Sequence, residues 1–91
     1  MPPKFALGQL VATPGALEAL KESKTGFLPY IRRHQNGDWG DVCVEDKAEN
    51  ELSIKEGFRL LSAYTLPGGC KIWVITEADR SATTILLPEE Y

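Results

Sequence analysis

The sequence predicts an α+β fold, in which short helices pack on an antiparallel sheet. Two runs rich in β-forming residues, 58–66 and 70–77, flank the turn sequence Pro-Gly-Gly at 67–69, a pattern typical of a β-hairpin. Helical patterns come before this hairpin, and strands gathered after helices favour an antiparallel sheet over a parallel, doubly wound one. We therefore expect the sheet to be centred on the hairpin, with about three short helices on one face.

The turn also predicts which residues of the hairpin face each other. A three-residue loop with Gly69 in a left-handed conformation fixes one register. On one face the expected pairs are Leu60 with Thr76, Ser62 with Val74 and Tyr64 with Ile72; on the other they are Arg59 with Glu77, Leu61 with Ile75 and Ala63 with Trp73. Large side chains opposite small ones are favourable cross-strand pairs.

The other elements follow from local patterns. Residues 5–12 form a short β-like run, and Thr13-Pro14 is typical of a helix start, with that helix running to about Ser23 and burying Leu17 and Leu20. A second helix is predicted by an apolar stripe with i, i+3, i+4, i+7 spacing, and Thr25 is its expected cap. The members of this stripe are Phe27, Tyr30, Ile31 and His34.

A third helix is expected from about Val44 to Glu56, stopped by Gly57. Val44, Ala48 and Leu52 recur every four residues and predict a narrow buried stripe on it. The last predicted strand covers 83–87 and ends at Pro88.

Size and composition indicate a single domain, residues 1–91. Its 43 % hydrophobic content is ordinary for a globular protein. No apolar run approaches the ~18 residues that span a bilayer, and the start of the sequence lacks the apolar core of a signal peptide. We expect a soluble cytoplasmic protein without membrane association. Cys43 and Cys70 are expected to be reduced thiols, with a bridge or a reactive pair as the alternative.

Charge is unevenly distributed. Residues 1–37 carry five basic and two acidic side chains, whereas 38–57 carry seven acidic and two basic ones. The basic side chains are sparse and lack interleaved aromatics, so nucleic-acid binding is not expected. The acidic segment could meet a basic partner or form a solvated face.

Three sequence blocks carry a resemblance. Gly-Gln-Leu-Val-Ala-Thr-Pro-Gly-Ala-Leu at 8–17, Gly-Asp-Trp-Gly-Asp at 37–41 and the segment 75–91 resemble a family of small uncharacterised bacterial proteins associated with plasmids, integron gene cassettes and other mobile elements. The resemblance implies a bacterial, mobile-element setting and no catalytic residues. Some members are described as methyltransferase subunits, but the glycine-rich cofactor loop and the Asn-Pro-Pro-Tyr-type motif of that class are missing here.

The candidate site residues are Trp39, His34, Asp38 and Asp41. One histidine and two carboxylates are a reasonable hard-metal set, yet His34 continues an apolar helical stripe, which favours a packed, hydrogen-bonded side chain. Trp39 could cap a pocket or anchor a partner, or it could cover a small core. No cofactor or metal ion is expected.

The apolar residues on both faces of the expected sheet predict self-association. Both faces of the expected sheet carry apolar residues, and three short helices cover only one of them. The uncovered face would expose a patch at Trp73, Ile75 and Leu61, so we expect a homodimer with Trp73 near its interface. The alternative is that the N-terminal strand and its flanking coil cover that face.

Two functions follow. The first, which the sequence favours, is a non-enzymatic accessory or protein-interaction module of a mobile element, with an unknown protein partner. The alternative is a small-ligand-binding protein or minor enzyme with a pocket near Trp39, His34 and Asp38.

Overall fold

The computed structural model describes residues 3–91, and it confirms the predicted α+β class. The elements in chain order are β1 (Gln9–Ala12), α1 (Pro14–Glu22), α2 (Leu28–Gln35), α3 (Val44–Glu56), β2 (Leu60–Thr65), β3 (Lys71–Thr76), β4 (Ala82–Leu86) and a single 3-10 turn, Pro88–Glu90. In this part of the chain no helix is both long enough and apolar enough to cross a membrane.

The four strands form one sheet in the order β1-β4-β3-β2. β3 pairs antiparallel with both β2 and β4, but β1 pairs parallel with β4. The sheet is therefore mixed, which corrects the prediction of a purely antiparallel one. Parallel pairing is possible because three helices separate β1 from the other strands, and a parallel neighbour needs such a long crossover. The hairpin supplies one edge strand, β2, and one central strand, β3.

The register of the hairpin is confirmed from Leu60 opposite Thr76 to Tyr64 opposite Ile72. Its turn has the expected chemistry, since the Gly69 N–H donates to the Leu66 carbonyl at 2.9 Å and the Leu66 N–H donates to the Cys70 carbonyl at 2.7 Å. Gly68 and Gly69 have φ values of 97° and 98°, a left-handed conformation that side chains with a Cβ rarely adopt.

The main core lies between the sheet and the first two helices. Ile72, Val74 and Ile85 project from β3 and β4 and are fully buried. α1 contributes Ala16, Ala19 and Leu20, and α2 contributes Tyr30 and Ile31. The predicted stripes are partly wrong, because Leu17 and Phe27 are exposed. Both lie beside β1, at the border of the sheet.

The helix ends follow local sequence with one exception. The Thr13 side chain accepts a hydrogen bond from the Ala16 N–H at 3.1 Å, as predicted for an N-cap. Gly57 ends α3 in a left-handed conformation. The prediction that Thr25 caps α2 is wrong, since the N-cap is Phe27 and no side chain bonds there. Pro29 in its first turn fits the helix start.

α3 has the predicted bounds but buries a different face. Val44 is 77 % exposed and Leu52 is also exposed, whereas Asn50 and Ser53 are buried. The predicted stripe of Val44, Ala48 and Leu52 is therefore wrong. The physical reason is the surface against which α3 packs, the outer edge of β2, where backbone groups need hydrogen bonds that apolar side chains cannot supply.

Candidate functional site

His34 lies on the inner face of α2 and is fully buried against the sheet. Its Nδ1 is 2.5 Å from the Ser62 hydroxyl and its Nε2 is 2.9 Å from the Thr76 hydroxyl. Thr76 contacts Thr83 at 2.8 Å, and Thr83 donates to the Leu7 carbonyl, also at 2.8 Å. This chain of contacts, hereafter the histidine network, links α2 to three strands and to the segment before β1.

The direction of each hydrogen bond in the histidine network follows from the last bond of the network, which joins Thr83 to Leu7. A hydroxyl has one proton, and that of Thr83 goes to the Leu7 carbonyl, so Thr83 accepts from Thr76. Thr76 in turn accepts from His34 Nε2–H, which leaves Nδ1 to accept from Ser62. The arrangement fits a neutral imidazole protonated on Nε2.

Burial and charge disfavour protonation of this imidazole. Burial lowers the pKa of His34 to about 4, and the positive charge of Arg80 adds to the effect. An imidazolium would also have to donate from Nδ1, so the Ser62 hydroxyl could no longer donate to it. Although Ser62 and His34 have the spacing of a nucleophile and a base, both are fully buried, and a substrate would have no access to them in this conformation.

Trp39 covers the histidine network from the side. It is 4 % exposed, its ring meets that of His34 edge-on with centroids 5.7 Å apart, and it stacks on Phe5 at 6.1 Å. The indole N–H donates to Glu51 of α3 at 2.9 Å. Of the two interpretations left open for Trp39, a cover over a small core fits this geometry.

The carboxylates of Asp38 and Asp41 are engaged elsewhere. Asp38 forms an ion pair with Arg33 at 2.7 Å, and this hydrogen bond lowers the pKa of the Asp38 carboxyl. Its backbone carbonyl accepts from the buried Tyr64 hydroxyl at 2.6 Å. Asp41 accepts from the Thr65 hydroxyl at 2.7 Å. Within residues 3–91, no group of three or more His, Cys, Asp or Glu side chains is placed to hold a metal ion.

The Gly-Asp-Trp-Gly-Asp loop instead closes the outer edge of β2. The Ala63 N–H donates to the Trp39 carbonyl at 3.1 Å, and the Asp41 N–H donates to the Ala63 carbonyl at 2.7 Å. Gly40 lies between them with φ of 73°, and a Cβ there would come within 2.0 Å of the Ala63 oxygen. Only glycine therefore allows this loop to lie so close to the strand.

Asn50 of α3 closes the next part of the same edge. Its side-chain amide donates to the Leu61 carbonyl at 2.7 Å, and its side-chain oxygen accepts from the Leu61 N–H at 3.1 Å. The asparagine thus imitates a neighbouring strand. Together the loop and Asn50 satisfy the edge of β2 within the chain itself.

The face on which the dimer interface was predicted is partly covered by the end of the chain. Tyr91 packs edge-on against Trp73 with ring centroids 5.7 Å apart, and Arg59 donates to the Tyr91 hydroxyl. Ile75 is only 5 % exposed, while Leu61 and Trp73 are half-buried. The expectation that this face stays uncovered is wrong for Ile75. The N-terminal strand does not provide the cover, because β1 extends the sheet.

Two grooves lie away from the candidate site residues Trp39, His34, Asp38 and Asp41, although Leu61 of the predicted dimer interface lines the first of them. One, of about 280 Å³, runs between α3 and β2 and is bordered by acidic Asp46 and Glu49 on one side and Arg59 on the other. The second, of about 140 Å³, lies beside β1 and is apolar. Its lining includes four exposed apolar side chains, Leu10, Val11, Leu17 and Phe27.

Sequence reasoning missed both the histidine network and the groove beside β1. The histidine network had a signal in the sequence, because the predicted hairpin register already placed Ser62 and Thr76 on the same face as Val74 and Ile72. The groove beside β1 also had a signal in the sequence, because residues 5–17 form the longest run without a charged side chain.

Comparisons with known proteins identify no relative of this chain. No protein-family model, curated protein or solved structure matches the chain.

Proposed function

We propose that this chain is a non-enzymatic protein-interaction module that acts as a homodimer, an accessory protein of a bacterial mobile genetic element in the cytoplasm. The observation that carries the proposal is the surface beside β1. Leu10, Val11, Leu17 and Phe27 are each between 40 % and 53 % exposed and line one groove. Grouped apolar side chains on a surface are a mark of protein–protein contact, whereas single ones are not.

The hydrogen bonding of the buried polar groups is a second argument for a non-enzymatic role. Among the described residues, every buried side-chain nitrogen or oxygen has a hydrogen-bond partner. Both ring nitrogens of His34 are occupied by hydroxyls, and the Trp39 N–H is occupied by Glu51. Active sites ordinarily keep a polar group free for the substrate. Here the polar groups of the predicted site hold the fold together.

The mobile-element setting rests on the resemblance carried by 8–17, 37–41 and 75–91. Two of these blocks have clear structural tasks, since 37–41 closes the edge of β2 and 8–17 contains all of β1 and the start of α1. The third supplies β4 and the terminal turn that brings Tyr91 against Trp73. Sequence blocks that build the fold in this way are compatible with an accessory role through protein contacts.

Sedimentation equilibrium tests the proposal. We expect a reversible monomer–dimer equilibrium at micromolar concentration, and a 10.1 kDa species at all concentrations would contradict it. A parallel thermal-melting screen against divalent metals and small metabolites addresses the ligand-binding alternative. A ligand-specific rise in melting temperature that Trp39→Phe removes would favour that alternative instead.

A further inference from the structure

We infer that the open edge of β1 is the docking surface for a second copy of this chain, and that the two β1 strands pair antiparallel around a twofold axis at Val11. The inference rests on the proposed function and deepens it, because it names the partner surface and its register. Joining the sheets in this way would make one continuous sheet across the dimer.

The first argument is that one edge of the sheet is closed and the other is open. β1 and β2 are the edge strands. The β2 edge is covered by the 39–41 loop and Asn50. In β1, the Gln9 N–H donates to the Ser81 carbonyl and the Thr13 N–H to the Ile85 carbonyl.

Alternate residues of a strand direct their backbone groups to opposite sides, so those of Leu10 and Ala12 point away from the sheet. Among residues 3–91, no partner on that side is found for them. Such groups are a template for another strand.

The second argument is charge. Each copy has a formal net charge of −3, so two copies repel each other, and an uncharged contact surface adds no further like-charge contacts. The β1 edge lies within the uncharged run 5–17, and the residues around Phe27 add a second uncharged run, 25–31. A charged partner would find no opposite charge on these two segments. A second copy brings the same uncharged strand.

The third argument is that β1 complements itself. With the axis at Val11, Leu10 lies opposite Ala12 of the second copy, and the two residues exchange both backbone hydrogen bonds. Val11 then faces Val11 of the second copy in a non-hydrogen-bonded pair. A large residue facing a small one is a favourable cross-strand pair. The ladder ends at Pro14, which has no N–H to donate.

The area available indicates how tight such a dimer is. A fully exposed large side chain presents roughly 150–200 Å², so the exposed fractions of Leu10, Val11, Leu17 and Phe27 represent about 250–350 Å² per copy. With the polar rim that interfaces carry, the total area buried is roughly 1,000 Å², at the small end for a specific interface. A reversible dimer in the micromolar range is therefore expected.

Cysteine cross-linking tests the register. Both native cysteines are exposed, so the background is Cys43→Ser with Cys70→Ser. Directly opposite residues in a non-hydrogen-bonded pair are within disulfide range, and Val11→Cys in this background is expected to form a covalent dimer rapidly under mild oxidation. Val44→Cys, 77 % exposed but on α3, is the matched control and is expected to remain monomeric.

A charge at the axis tests the same contact without oxidation. Two like charges brought together at an interface disfavour association, so Val11→Lys is expected to raise the dissociation constant at least about tenfold in sedimentation equilibrium. Val44→Lys carries the same charge change and is expected to leave it unchanged.

The possible outcomes separate this inference from the proposed function. Unaltered dimerisation of Val11→Lys, with cross-linking through Trp73→Cys rather than Val11→Cys, would overturn the β1 inference but keep the dimeric module. A wild-type chain that is monomeric throughout would overturn both.

Discussion

The stability of this protein should fall between pH 6.5 and pH 4 because of one histidine. His34 is the sole histidine in the sequence, and its pKa is lowered from 6.5 to about 4 by burial and by Arg80. As the pH falls through this window, the unfolded chain takes up a proton that the folded one does not. Proton uptake therefore favours unfolding. The contribution of neutral His34 is complete above about pH 6.5 and is lost as the pH approaches 4.

The size of the effect follows from the two pKa values. A difference between 6.5 and about 4 corresponds to about 3 kcal/mol at 1.36 kcal/mol per unit. About half of this, roughly 1–2 kcal/mol, is expected between pH 6.5 and pH 5, where few carboxyl groups titrate. A small domain has a total stability of about 5–15 kcal/mol, so the loss from one imidazole is a substantial fraction of that stability.

Urea unfolding at several pH values measures this contribution. The free energy of unfolding of the wild type should decline by about 1–2 kcal/mol between pH 6.5 and pH 5, and that of His34→Gln, although lower throughout, should stay flat in the same interval. The carboxyl group of Asp38 does not interfere, because Arg33 lowers its pKa and its stabilising contribution is lost only at lower pH.

A slope in His34→Gln equal to that of the wild type would refute the reasoning. If that variant does not fold, NMR titration of the single imidazole decides the matter in the wild type, since a ring pKa above 6 contradicts the burial argument.

Three further predictions concern the fold. Asn50→Ala should destabilise the protein by roughly 2–4 kcal/mol in urea unfolding, because it leaves both backbone groups of Leu61 without a partner; exposed Lys47→Ala on the same helix is the control, and an equal effect of the two would argue against edge closure. Ile72→Ala should cost on the order of 2–4 kcal/mol, since Ile72 is fully buried, and a loss no greater than that of exposed Val44→Ala would remove Ile72 from the core. In a Trp73→Phe background, Trp39 fluorescence should be blue-shifted and resistant to acrylamide, because Trp39 is buried under Phe5; the emission of a fully exposed indole would contradict its placement.

The hairpin was predictable because its information is local. Pro67, Gly68 and Gly69 determine the turn, and the turn determines the register, which the structure confirms. The bounds of α3 were predictable for a similar reason, because Gly57 ends the helix through its own backbone conformation. In both cases a few neighbouring residues decide the outcome.

The position of β1 and the buried face of α3 were not predictable from local patterns. Whether β1 joins the sheet parallel or antiparallel depends on how three helices cross it. The buried face of α3 depends on the neighbour it meets. A stripe of Val44 and Leu52 indicates burial against apolar surface, but α3 meets the backbone edge of β2, where Asn50 forms both hydrogen bonds to Leu61.

The candidate site was predictable in its members but not in its contacts. His34 was expected to be packed and hydrogen-bonded, and the structure confirms this. Its partners, Ser62 and Thr76, are 28 and 42 residues away in sequence, and only the assembled sheet brings them to it. The carboxylate of Asp38, although close in sequence, turns outward to Arg33. Proximity along the chain was a poor guide to proximity in space.

The contrast between the two sheet edges is what gives the interaction proposal its physical basis. Edge strands in monomeric proteins are protected by charges, prolines, bulges or covering segments. This chain protects β2 twice, with a loop that only Gly40 permits and with Asn50. At β1 the exposed residues are Gln9, Leu10 and Val11, within an uncharged run. The edge of β2 is therefore closed within the chain, whereas the edge of β1 lies in an uncharged segment. This contrast favours β1 as the strand that pairs with another molecule.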